Sequence, residues 1–147
     1  MTEASTGTGP PSSTALPSAP VWRAGLLAAL AATVVNVVAW VVLQPLLDAG
    51  LQIPRQPGST ELVSLPLAPV VLITLVSGVL GAAALWLLTR RGPSGLRLWV
   101  IVAVAYAILS GLAAFGLDVA LGRQLGLFLF HLLAAATMIT VVRQRLG

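Results

Sequence analysis

One histidine, His131, stands inside the apolar runs of this chain, and Asn36, Thr74 and Ser110 are among the uncharged polar side chains there. An imidazole in such a place has two uses. It relays protons or ligates a cofactor, because intramembrane ionisable groups mark such paths, or it is a neutral ring that fixes helix packing. The second is expected here, since no Asp, Glu or Arg shares the apolar runs with it. Proton-coupled transport needs carboxylates or chains of titratable groups. A haem held by two histidines needs a second His, which only another subunit could supply. Asn36 reads as packing glue rather than as a substrate ligand. The chain has no Cys, which excludes disulfides, thiol catalysis and thiolate metal sites. Asp48, Glu61 and Asp118 lie outside the apolar runs, with no spacing that suggests paired acid–base carboxylates. No catalytic residue, metal site or cofactor is expected.

Four elements must position these residues. The chain is 58% hydrophobic and only 8% charged, with a mean hydropathy of +1.00, whereas a soluble domain carries about 25% charged residues. Apolar runs span Ala24–Leu43, Leu67–Leu88, Leu98–Leu117 and Leu125–Val142, each without a charged side chain. Each approaches the ~20 residues that a helix needs to cross ~30 Å of hydrocarbon. The predicted fold is all-α, a four-helix antiparallel transmembrane bundle in a domain over residues 22–147. Residues 1–21, rich in Ser, Thr, Pro, Ala and Gly, are expected to form a disordered cytoplasmic tail. The Gln44–Pro66 connection, with its prolines and Gly58, reads as an irregular loop.

Orientation follows from the arginines, since all eight basic residues are Arg, as in a GC-rich bacterial genome. Arg23, Arg90, Arg91, Arg97, Arg143 and Arg145 flank one side of the runs, and Arg55 and Arg123 the other. The positive-inside rule predicts cytoplasmic termini, N-in/C-in, in a bacterial plasma membrane. The net charge of +4 is therefore a topology signal, and nucleic acid is excluded as a partner. Trp22, Trp40 and Trp99, near the run ends, are expected as interfacial anchors.

Depth unites the four polar residues. Asn36 lies seven residues before Leu43, Thr74 seven after Leu67, Ser110 seven before Leu117 and His131 six after Leu125. At about 1.5 Å per residue, all four fall roughly 9–10 Å from the outer boundary. They are expected to converge on the bundle axis as one polar layer. Gly78, Gly81, Gly111 and Ala135 are candidate helix-packing positions, since small residues let backbones approach. Tyr106, Ser110 and Ala114 share a face of the third run, and Gly122 and Gly126 form a GxxxG that is weighed as a minor candidate for a dimer seam.

Arg23 ahead of AATVVNVVAW, then LITLVSGVLGAAALWLLTR, AILSGLAAF and HLLAAATMITVVRQRLG, together resemble a family of actinobacterial four-helix membrane proteins of unknown function (domain of unknown function 6069). The resemblance covers about residues 22–147 and falls on Asn36, Thr74, Ser110 and His131; it implies no activity. The expected role is non-enzymatic, through helix packing or partner contacts. The alternative is a small homodimeric transporter or channel whose polar layer lines a path. An oxidoreductase-type cofactor binder using His131 ranks last. The lipid bilayer is the expected partner, with a homo-oligomer or another membrane protein left open.

Overall fold

The computed structural model describes residues 18–47, 50–56, 58–92 and 94–146. Residues 1–17 of the expected tail, and Asp48, lie outside them. Helix α1 runs Ser18–Leu46, α2 Leu67–Thr89, α3 Ser94–Leu112 with a 3-10 turn at Ala113–Gly116, and α4 Leu121–Leu146. All four are long and apolar enough to cross a membrane. Helix α1 thus starts before the expected tail ends. Pro20 permits this because N–H groups of a first helical turn have no intrahelical partner to lose. Pro45 falls in the last turn of α1, and the helix stops one residue later. Helix α2 starts directly after Pro66 and is closed by Gly92, whose φ of 95° favours glycine.

The connection after α1 is more ordered than its composition suggests. Strands β1 (Gln52–Pro54) and β2 (Leu62–Ser64) pair antiparallel, with Ile53 opposite Val63. The expectation of an irregular loop is corrected to a short β-hairpin. It is fastened to the bundle through Leu51, which is fully buried. The Leu51 N–H donates to Gln44 Oε1 at 3.1 Å, and its carbonyl accepts from the Leu65 N–H at 2.7 Å. The Trp40 indole donates to the Leu65 carbonyl at 3.0 Å, so Trp40 ties helix to hairpin.

Around the bundle, α1 packs on α2 and α4, and α3 on α4 and α2. The core divides into two clusters. Val21, Ala28, Leu85, Trp99 and Val142 fill the end that bears the arginines. Leu51, Leu65 and Phe130 fill the hairpin end. Large apolar side chains cover the outside instead, among them Val34 at 62% exposed, Ile73 at 64% and Leu109 at 70%. A water-soluble monomer does not expose apolar surface on this scale, whereas hydrocarbon solvates it. Trp99 is corrected as an interfacial anchor. It is 2% exposed, and its indole donates to the Gly81 carbonyl at 2.9 Å, joining α3 to α2.

Between the two clusters the α1–α2 seam is built from small residues. A Cβ placed on Gly25 would stand 2.5 Å from the Ala82 Cβ, and one on Gly78 would stand 2.6 Å from the Ala29 Cβ. Each glycine therefore faces the other helix's alanine, in two matched Gly-x-x-x-Ala segments running in opposite directions. This close approach brings the polar side chains farther along α1 into reach of α2.

Candidate functional site

Asn36 sits two turns beyond Ala29 on α1 and is 4% exposed. Its Nδ2 donates to Thr74 Oγ1 at 3.0 Å, so the seam delivers two of the four expected residues to each other. Thr33, one turn earlier and also buried, donates its hydroxyl to the Ala29 carbonyl at 2.8 Å. The Asn36 Oδ1 is buried and has no hydrogen-bond partner among the described residues. That leaves a buried acceptor open beside the Nδ2 bond to Thr74.

The other two residues behave differently. The half-buried Ser110 donates to the Tyr106 carbonyl of its own helix at 2.6 Å. His131 Nδ1 lies 3.0 Å from the Leu127 carbonyl, four residues back on α4. A carbonyl only accepts, so the bond requires the proton on Nδ1. Both side chains thus turn to their own backbones, the usual resort of hydroxyls in apolar helices. Among the described residues no hydrogen bond joins Ser110 to His131, or either of them to Asn36 or Thr74. Of the four, only Asn36 and Thr74 bond across helices. The Ser110 hydroxyl is thus held by a carbonyl and makes no hydrogen bond to a base among the described residues. Nor do three or more His, Cys, Asp or Glu side chains gather anywhere among the described residues.

The packing positions are placed as follows. Gly78 faces Ala29, and Gly81 faces the Met138 methyl on α4, where an added Cβ would come within 3.1 Å. Gly111 admits the Phe128 ring, which would lie 2.6 Å from a Cβ there, with the His131 Cβ at 3.4 Å. Ala135 is half-buried on α4. The face of α3 needs a correction. Gly95, Trp99, Ala107, Gly111 and Ala114 are its buried positions, and Tyr106, expected beside Ser110 and Ala114, points outward at 61% exposed. The shift is one residue, or about 100° of a 3.6-residue turn.

The GxxxG of α4 is filled from within the chain. A Cβ on Gly126 would meet Leu51 at 3.2 Å, and one on Gly122 would meet Leu47 at 3.6 Å. These glycines receive the connection after α1. The signal missed in the sequence was Gly25–Ala29, whose Gly-x-x-x-Ala spacing mirrors Gly78–Ala82 in reverse.

All six arginines expected on one side, Arg23, Arg90, Arg91, Arg97, Arg143 and Arg145, are exposed at the end away from the hairpin. Arg90 lies 3.8 Å over the Trp86 ring, which also packs against Trp22 with centroids 6.0 Å apart. At the opposite end Arg55 pairs with Glu61 at 2.8 Å, an exposed pair that stitches the hairpin. An open cleft of about 390 Å³ lies between the hairpin and the α3–α4 connection, lined by Ile53, Arg55, Ser59 and Asp118 among others.

The Asn36–Thr74 bond carries a definite expectation. Thr74→Val removes the partner and leaves the buried Asn36 amide unpaired at both ends. The expected loss is ~0.6–1.7 kcal/mol, from the mean to the largest value measured for interhelical bonds of this kind. Adding Asn36→Leu should recover part of it, because an apolar pair leaves nothing unsatisfied. Unfolding of the two single variants and the double variant in detergent, followed by helicity, checks this. Equal stability of Thr74→Val and the parent would contradict it.

A family model described as Family of unknown function (DUF6069) matches residues 17–147. No curated protein and no solved structure gives a match.

Proposed function

The chain belongs to the Family of unknown function (DUF6069), and we propose that it is a non-enzymatic, multi-pass component of a bacterial plasma membrane that works through helix–helix contacts. The arginine end faces the cytoplasm with both termini, and the hairpin faces the other side. Six exposed arginines against two support that orientation through the positive-inside rule. The observation that carries the functional reading is the Asn36–Thr74 bond beside a seam of matched glycines and alanines. Side chains that could line a path are turned to neighbouring helices or to their own backbones.

A transporter or channel is the second reading, and the open Asn36 Oδ1 favours it. Proteoliposomes separate the two. Vesicles loaded with a pH-sensitive dye, and others loaded with quenched calcein, should show no flux above protein-free vesicles. His131→Ala should lower the midpoint of thermal unfolding and change nothing else, because it removes the half-buried imidazole and its bond to the Leu127 carbonyl. Flux that His131→Ala abolishes would replace the first reading by the second.

A further inference from the structure

Tyr106 is the one tyrosine of the chain, and it stands in an unexpected place. It lies twelve residues from Ser94 and ten from Gly116, the two ends of its apolar segment. At about 1.5 Å per residue that is roughly 18 Å and 15 Å, the middle of the hydrocarbon. Tyrosines of membrane proteins usually sit at the interfaces, where the hydroxyl is wet, and from mid-depth the ring is too short to reach either surface. The side chain is 61% exposed, and its hydroxyl has no hydrogen-bond partner among the described residues. Lipid tails offer none.

The ring belongs to one outward face of the third span. Val102, Tyr106, Leu109 and Ala113 recur at spacings of four, three and four, and all are exposed, which sets them together on that face. Ala105, next to the ring in the chain, and Ala113, two turns along the same face, are small enough for a second helix to come close. The other helix–helix motif, Gly122 and Gly126, is already occupied by Leu47 and Leu51.

We infer that a second copy of this chain covers the α3 face bearing Val102, Tyr106 and Leu109, with the two Tyr106 hydroxyls bonded across a two-fold axis along the membrane normal. Two copies in one orientation place the same residue at the same depth. A two-fold interface must be self-complementary, and a phenol is both donor and acceptor, so one hydroxyl satisfies its own copy. An indole N–H, a donor only, would not. The inference rests on the four-pass reading above.

The chain has no cysteine, so single thiols report cleanly. Leu109→Cys and Ile73→Cys lie at similar depth, on the outer faces of α3 and α2 respectively. In proteoliposomes under oxidation, Leu109→Cys should form a disulfide-linked dimer and Ile73→Cys should not. Adding Tyr106→Phe to Leu109→Cys should weaken self-association roughly three- to twentyfold, the effect of losing one interhelical hydrogen bond. Equal crosslinking of the two thiols, none at Leu109, or indifference to Tyr106→Phe would overturn the inference. So would crosslinking of Leu109→Cys in native membranes to an unlike protein alone. Rapid labelling of both thiols by a membrane-impermeant maleimide would instead overturn the four-pass reading beneath it.

Discussion

Gly78→Leu is expected to abolish the folded bundle, and Gly78→Ala to destabilise it by about 1–3 kcal/mol, the usual cost of overpacking. The added Cβ would stand 2.6 Å from the Ala29 Cβ and 3.0 Å from its Cα. Neither atom is the end of a flexible side chain, so the helices themselves must separate. Alanine is the better helix former by about 0.8–1 kcal/mol, which offsets only part of that cost. Separation also lengthens the Asn36–Thr74 bond, since the same two helices hold it. The reciprocal change supplies the control: Ala29→Gly combined with Gly78→Ala moves the methyl to the other helix and should restore most of the loss. Unfolding in detergent, followed by circular dichroism, measures all three variants. A Gly78→Ala protein as stable as the parent would mean that α1 and α2 are not in van der Waals contact there.

Leu51→Ala should cost about 2–5 kcal/mol, in the range for truncating a buried leucine. Leu51 is fully buried although it lies in a connection. It packs with Leu65 and Phe130 and covers Gly126 of α4, while its backbone bonds to Gln44 and Leu65. Truncation leaves a cavity at the point where the hairpin meets the bundle, so the loss should be local before it is global. Trypsin should then cut at Arg55 faster, because the hairpin that pairs Arg55 with Glu61 has lost its anchor. The helices should remain intact at moderate temperature. If trypsin cuts at Arg55 at the parent's rate, Leu51 does not anchor the hairpin.

The contrast between these two sites shows what the sequence could reveal. Apolar runs of spanning length need only be counted, and all four helices were legible for that reason. The β-hairpin was not, because each strand has three residues, too few for alternation to be read, and prolines dominate the segment. The Leu51 anchor was hidden in the same way: it is one leucine among many. Half of the α1–α2 seam was visible in Gly78 and Ala82, and the other half, Gly25 and Ala29, was lost among neighbouring alanines near the start of the first run.

For the polar residues, position along each helix could be counted and direction could not. Rise along a helix follows from counting residues, so Asn36, Thr74, Ser110 and His131 could be set at one level. Which way each points requires knowing the inner face of its helix. A helix that is apolar all round has no polar face to mark it. Tyr106 illustrates the result, since a one-residue error in the face of α3 turned an expected interior ring into an outward one.

The central claim is that the Asn36–Thr74 level is a packed junction between helices and not a solute path. The most direct test places a single thiol there. Asn36→Cys in proteoliposomes should resist a small membrane-impermeant thiol reagent and react only after denaturation, while Ser59→Cys in the hairpin should react at once. Labelling of Asn36→Cys in the folded protein at a rate near that of Ser59→Cys would contradict the account.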